Sequence, residues 1–280
     1  MPPINILTDA SVLFPNPVFE GREHVTILPA YWQPAPAEGE DGPAKASDFP
    51  ISLTKTGSPL YQAPTVEEFK LAFQQLGSGT GVLAVVHSGE LSPTYANAER
   101  AAKDLQGKVQ VRVVDSGSVS LGLGMMVQAA AQAAESMPLN DLDLYTRSLI
   151  GRIYTQLCIP SLSYLERLGM VNHAQAVVSE YLGMLPMFTL EGGELVPTEK
   201  ARNRRHLVDV LQEFLMEFDN LEHIALLQGA PSYESETRTL RERLAEDHPD
   251  TPVSEQIINA ALASLIGPHS LGIFALERAA

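Results

Sequence analysis

At 280 residues the chain can bury a full core and form two domains, and a composition 45% hydrophobic and 19% charged describes a globular protein. A net charge of -15 argues against a nucleic-acid backbone as the main partner. The single cysteine, Cys158, excludes an internal disulfide; with no secretory leader visible and no apolar run of the ~18–20 residues a spanning helix needs, a cytoplasmic location is expected.

Ile4–Leu7 reads as a short strand that ends in Thr8, Asp9, Ala10 and Ser11. His24–Pro29 reads as another strand, and the run from Gln33 to Pro50, rich in Pro, Ala, Gly and acid, as an exposed loop. Thr65, followed by Glu67 and Glu68, caps a helix through about Gln75. The apolar run Val82–Val86 stops at His87 and a cluster of hydroxyls, Ser88, Ser92, Thr94 and Tyr95, before a helix to about Leu105. Val109–Val114 is a further strand ending in Asp115 and Ser116, and the helix after it carries Gly122 and Gly124 near its start and runs to Ala134. Strands alternating with helices predict a doubly wound, mainly parallel sheet in an N-terminal α/β domain over residues 1–152, its polar strand ends gathered along one edge.

The second half reads as an α+β domain over residues 153–280. Leu139 to about Arg152 is helical and leads into a strand over Ile153–Ile159. A short helix over Ser161–Leu168 and a helix over Gln175–Tyr181 follow. Leu185–Leu190 and Leu195–Thr198 flank Gly192 and Gly193 as a hairpin. A helix over Arg204–Phe218, a strand over His223–Leu227, a helix from Ser232 to about Glu246 and the segment Gly267–Phe274 complete the chain.

Ligands of open α/β sheets bind at the carboxyl ends of the strands. Ser88, Ser92 and Thr94 each donate and accept hydrogen bonds there, which suits a small acidic or polar headgroup. The competing reading is that Ser92 or Thr94 caps the helix and Ser88 sits in a turn. Asp9 either orients a ligand hydroxyl or caps its own loop. The seven histidines show no zinc-ligand spacing, and no nucleotide-binding glycine fingerprint is present. His87 beside Ser88 invites a nucleophile–base pair, but neighbours in an extended segment point to opposite sides and no nucleophile elbow surrounds them. The basic run Lys200–His206 stands out in so acidic a chain and suits contact with a partner's phosphate or acidic surface.

Together these segments resemble the DegV family of bacterial fatty-acid-binding proteins. Thr8-Asp9-Ala10-Ser11 resembles the family's T-D-S-T, and Pro64 to Phe69 its P-S-P-E-E-F. Ser88 to Tyr95 resembles S-S-x-L-S-G-T-Y; Val114-Asp115-Ser116 with Gly122-Leu123-Gly124 resembles its D-S and G-L-G segment. Leu162 to Leu165 resembles L-E-Y-L, Lys200 to Arg204 resembles K-V-R-x-R, and Gly267 to Ile273 resembles G-P-G-A-L-G-I. The resemblance implies two domains with the ligand site between them. It implies one long-chain fatty acid, with its carboxylate at strand-end hydroxyls and its tail in an apolar tunnel, and no cofactor or metal. It also implies presentation of the acid to a fatty-acid kinase rather than catalysis by the chain itself.

Carried over by position, the ligand-binding residues are Ser88, Gly89, Ser92 and Thr94, with Thr8, Asp9 and Ser116, and with Tyr61, Gln62 and His269 as helpers; Arg202 and Arg204 contact the partner. Burial of a tail of ~16 carbons at about 0.8 kcal/mol per CH₂ gives on the order of 12 kcal/mol gross, and the carboxylate must then be hydrogen-bonded. The chain departs from the family pattern at the headgroup. Tyr61-Gln62-Ala63 stands for T-S-Q, Gly89 for the second loop serine, Pro93 for a glycine and Leu265 for a histidine, while His269 replaces a glycine. Met170 stands where the family has a docking arginine. A hydrolase using His87 with Asp9 or Asp115 at the same edge is the alternative.

Overall fold

The computed structural model describes residues 4–36, 42–53, 57–77, 79 and 81–279. In chain order the first half contains β1 (Asn5–Thr8), β2 (Val25–Ile27), β3 (Tyr31–Gln33), β4 (Leu60–Gln62), α1 (Val66–Leu76), β5 (Val82–Val86), α2 (Thr94–Asp104), β6 (Val111–Asp115), α3 (Ser120–Ala133) and α4 (Leu139–Ser148). The second half contains β7 (Ile153–Cys158), α5 (Ser163–Arg167), α6 (His173–Tyr181), β8 (Leu185–Glu191), β9 (Glu194–Ala201), α7 (Arg204–Leu215), β10 (Leu221–Gln228), α8 (Glu234–Asp247), β11 (Val253–Ile257), α9 (Ala260–Ile266) and β12 (Leu271–Glu277). Two units emerge. The first comprises the described residues up to Tyr31, Gln62–Ile153 and Glu191–Glu194; the second comprises Trp32–Tyr61, Tyr154–Leu190 and the chain from Leu195. The chain therefore passes between units more often than a single break after residue 152 would require.

The first unit is built on a four-stranded sheet in the order β2-β1-β5-β6, with every pairing parallel. Parallel neighbours need crossover connections: β1 reaches β2 through a loop and a single short helical turn, α2 joins β5 to β6, and helices cover both faces of the sheet. Leu7, Val82, Ala84 and Val86 pack against Phe69 and Phe73 of α1 and Ala98 and Ala101 of α2. Strand alternation then turns Thr8, Val85 and His87 to the other face, where α3 packs on β1 and β5. The start of α1 follows from its first residues. The Thr65 hydroxyl accepts from Glu68 N–H at 3.3 Å while the Glu68 carboxylate accepts from Thr65 N–H at 2.6 Å, a reciprocal cap.

The second unit holds a six-stranded mixed sheet in the order β11-β10-β12-β7-β8-β9. β10 pairs parallel with β11 and antiparallel with β12, and β7 pairs antiparallel with β8. Leu207, Leu211, Leu240 and Leu244 of α7 and α8 bury one face of it, against Ile224, Leu226, Ile273 and Ala275. Cys158 lies in the same core, where burial pushes its thiol up to about 12. The hairpin turn has Gly192 at φ 58 and Gly193 at φ 90, the two left-handed positions that a two-residue turn demands.

The exposed loop expected over Gln33–Pro50 needs correction. Residues 37–41 of that run lie outside the described residues, but Ala46 and Phe49 are buried. The Phe49 ring packs 5.9 Å from Trp32, which meets Tyr61 edge-on at 6.4 Å. A few large rings bury more area than the surrounding Pro, Gly and acid can keep in water, and composition over a window averages that away. β11 and α9 were also not anticipated. β11 is a polar sheet-edge strand, and every residue of α9 is buried, which erases the amphipathic period. Among the described residues, no helix is long and apolar enough to cross a membrane.

Candidate functional site

The carboxyl ends of β1, β5 and β6 lie side by side in the first unit, and their exit loops are tied together through backbone. Ser88 N–H donates to the Ser118 carbonyl at 2.9 Å, Ser116 N–H to the Val86 carbonyl at 3.0 Å, and Leu13 N–H to the Ser120 carbonyl at 3.1 Å. Asp9 organises this edge. One of its carboxylate oxygens accepts from Ser11 N–H at 3.0 Å and the other from His87 N–H at 2.8 Å, with the side chain fully buried. Asp115 has the same role at the end of β6, accepting from Gly89 N–H at 3.1 Å and Gly117 N–H at 2.9 Å. These charge-assisted bonds fix the loops that follow β1, β5 and β6 without drawing on side-chain hydroxyls.

The hydroxyls of the Ser88–Thr94 cluster are spoken for within the protein. Ser88 Oγ donates to the Gly193 carbonyl at 2.8 Å and accepts from Glu90 N–H at 3.3 Å. Ser92 Oγ and Thr94 Oγ1 bond each other at 2.8 Å, and Ser92 Oγ also takes the Thr94 N–H at 3.3 Å, which starts α2. Ser116 Oγ donates to the Ser118 carbonyl at 3.0 Å. A carboxylate guest needs donors: Ser88 and Ser116 can serve it only by turning their protons away from the Gly193 and Ser118 carbonyls, whereas the Ser92–Thr94 pair keeps one hydroxyl proton free to donate.

A second set is buried without any partner: Thr8 Oγ1, Ser11 Oγ, Ser118 Oγ, Ser120 Oγ and both ring nitrogens of His87. Buried polar groups without partners are rare, and a cluster of them at one sheet edge marks a place where the protein leaves hydrogen-bonding capacity unspent. Ser120 adds backbone strain: at φ 53 it is the one non-glycine residue in the left-handed region among the described residues. Ser118 and Ser120 were missed in the sequence. Their signal was the alternation Ser116-Gly117-Ser118-Val119-Ser120 between a strand and a helix.

Burial holds the His87 imidazole below its ordinary 6.5, while Asp9 and Asp115 pull it back toward that value. Neutral in the folded state, it gains a proton on unfolding, so its contribution to stability is complete above pH 6.5 and is lost as the pH falls below that. His223 and His269, both also held low chiefly by burial, act in the same direction. The unfolding free energy of His87→Leu, read from urea titration, will therefore fall less between neutral and acid pH than that of the native chain, by up to about 1.4 kcal/mol per pH unit. Equal acid limbs in the two proteins would mean that His87 takes its proton while still folded. The imidazole makes no hydrogen bond to Ser88, so the pair needed to activate a serine nucleophile is not formed.

The remaining expected residues sit as follows. Gln62 belongs to the first unit; Tyr61, His269, Arg202 and Arg204 belong to the second. Tyr61 is buried, and its N–H donates to Ser264 Oγ at 3.0 Å. His269 stacks on Tyr233 with ring centroids 4.4 Å apart and leaves Nδ1 without a partner. Burial and the nearby Arg204 lower its pKa, opposed by the Pro231 carbonyl and Glu236. Arg204 lies over the Tyr233 ring and 3.5 Å from Glu236, and both it and Arg202 are exposed. The second unit also contains a cavity of about 410 Å³ lined mainly by apolar side chains, among them Leu162, Leu165, Val171, Val178, Met184 and Phe188.

Fold and site define an α/β protein of two units, one with hydroxyls gathered at the carboxyl edge of a parallel sheet, the other with an apolar cavity. A family model described as "Uncharacterised protein, DegV family" matches residues 3–278, and the chain belongs to the DegV family. The DegV domain-containing protein SCO2569 of Streptomyces coelicolor is 26% identical over 282 residues, covering 98% of this chain and 99% of the relative. A fatty-acid-binding DegV family protein from Thermus thermophilus superposes with a TM-score of 0.82 at 24% identity, over 99% of this chain and 100% of the other. The Streptococcus pneumoniae fatty acid kinase (Fak) B3 protein, solved loaded with linoleic acid, superposes with a TM-score of 0.78 at 14% identity, over 99% and 100%. At these identities the two structures establish the fold.

Proposed function

We propose that this chain is a non-catalytic lipid-binding protein that holds a single long-chain fatty acid. The apolar cavity of the second unit carries the proposal: its size falls within the usual range of small-ligand pockets, and its walls offer a tail dispersion contacts and freedom from water. The strand-end hydroxyls of the first unit are a separate set of hydrogen-bonding groups of the kind that a carboxylate needs once it leaves water. Ser88, Ser92 and Thr94 act as the headgroup contacts, with Gly89, Thr8, Asp9 and Ser116 shaping their loops and Tyr61, Gln62 and His269 assisting. The fatty-acid binding of the Thermus protein and the linoleic acid of the Streptococcus protein support this reading by family. Presentation to a fatty-acid kinase belongs to the same proposal, with Arg202 and Arg204 as the docking cations and Met170 in place of a third.

Solvent extraction of the purified protein followed by mass spectrometry tests it. One equivalent of a long-chain acid is expected, and a folded sample repeatedly free of lipid would overturn the reading. Ser88→Ala should weaken fatty-acid affinity about tenfold or more, the worth of a hydrogen bond to a charged group. Unchanged affinity would remove Ser88 from the headgroup site and leave the family's ligand class standing.

A further inference from the structure

The amino edge of the first unit's sheet, opposite the hydroxyl-bearing edge, carries a separate cluster with metal-ligand chemistry. Glu23, His24 and Glu135 each offer one ligand atom, and these atoms all lie within 4.8 Å of one another. We propose that they bind one divalent metal ion of borderline softness, typified by zinc, with water completing the coordination.

Topology brings the three together. His24 immediately precedes β2, and Glu135 follows α3, which runs back from the carboxyl edge of the sheet to its amino edge. The approach is made possible by Gly21. It adopts φ 78, and a Cβ there would stand 2.5 Å from the Ala131 carbonyl oxygen, so the short helical turn Arg22–His24 rests directly on the last turn of α3. His24 N–H donates to the Gly21 carbonyl at 3.0 Å and fixes that turn. Sequence spacing hides such a site, because two ligands are adjacent and the third is far along the chain.

The electrostatics favour a cation. Two carboxylates share the carboxyl end of a helix, where the backbone dipole already places partial negative charge. Among the described residues, neither is paired with a lysine or arginine. Arg22, the neighbouring cation, is engaged elsewhere: its Nη1 donates to the Val25 carbonyl at 3.0 Å, and its guanidinium lies over the Phe14 ring. The donor set selects the ion. One imidazole nitrogen with two carboxylate oxygens suits zinc, whereas magnesium and calcium prefer oxygen alone. Zinc bond lengths of about 2.0–2.2 Å place tetrahedral ligands about 3.4 Å apart. His24 Nε2 and Glu23 Oε1 stand at 3.9 Å, so side-chain rotation closes the shell. Glu23 and Glu135 are exposed, so solvent water can complete the shell.

Zinc uptake by the metal-free full chain, measured against a chromogenic chelator in a non-coordinating buffer, tests the assignment. The native protein should take up one tight equivalent, with no competition from magnesium. Glu135→Gln and His24→Gln should each lose that equivalent, while Glu20→Gln, outside the cluster, should keep it. Equimolar zinc should raise the thermal midpoint of the native chain and of Glu20→Gln but of neither ligand variant, because the ion ties the turn to α3 only in the folded state. Fatty-acid content should be the same in all four proteins, which separates this site from the lipid site. Zinc binding that is absent from the native chain, or equal in the native chain and the ligand variants, would overturn the proposal.

Discussion

Gly124→Ala is expected to destabilise the protein by about 3 kcal/mol or more, against a helix-propensity gain of about 1 kcal/mol that the same change would bring in an open helix. The reason is distance. A Cβ at position 124 would stand 1.8 Å from the Leu13 carbonyl oxygen, 2.7 Å from its carbon and 3.2 Å from Phe14 Cα. These are backbone atoms, held in place by the bond from Leu13 N–H to the Ser120 carbonyl one turn earlier in α3, so they cannot swing aside as a side chain would. Either α3 or the loop after β1 must move. That loop begins with Asp9 and Ser11, so the carboxyl edge moves with it, and retained fatty acid should fall together with the urea midpoint. Gly151→Ala, whose added methyl meets nothing within 4 Å, is the control and should leave both unchanged. A Gly124→Ala protein as stable as the native chain would show that α3 does not lie against this loop.

Asp9→Ala is expected to cost about 4 kcal/mol. The substitution removes the acceptor of two buried N–H groups, those of Ser11 and His87, and each bond to a charged acceptor is worth about 1.5–3 kcal/mol. Asp9→Asn keeps the shape and one acceptor oxygen but turns an amide N–H toward the other donor, so roughly half of that loss should remain. Denaturant midpoints of the three proteins at neutral pH measure the series. If Asp9→Ala matched the native chain, water would be satisfying both N–H groups, and the anchoring role of the carboxylate would fall. The same replacement should lower fatty-acid affinity, because His87 and Ser88 follow one another in a loop that Asp9 anchors.

Much of this fold was legible in the residues. The apolar run Val82–Val86 announced a strand covered on both faces, the cap at Thr65 and Glu68 announced α1 to within a residue, and Gly192-Gly193 announced the hairpin turn. These are local effects: strand burial, helix-end hydrogen bonds and left-handed backbone each leave a mark within a few residues. What stayed hidden was non-local. Trp32, Phe49 and Tyr61 form a cluster because rings distant in sequence share one apolar space, which no composition window detects. α9 lacked an amphipathic stripe because all of it is inside.

The site divides along the same line. The sequence by itself determined that hydroxyls and acids collect at the ends of β1, β5 and β6, since residue order places them where strands stop. It also determined the family, through ordered motifs spanning nearly the whole chain. Only the tertiary structure decided which of those groups are used up. Ser88, Ser92 and Thr94 find partners in Gly193 and in each other, Asp9 and Asp115 bind loop N–H groups, and Thr8, Ser11, His87, Ser118 and Ser120 are buried with none. A side chain's chemistry is fixed by its type, but its free hydrogen-bonding capacity depends on which atoms the fold brings within 3 Å or so of it. Those atoms come from other strands, other helices and, for Ser88, from a glycine more than a hundred residues away.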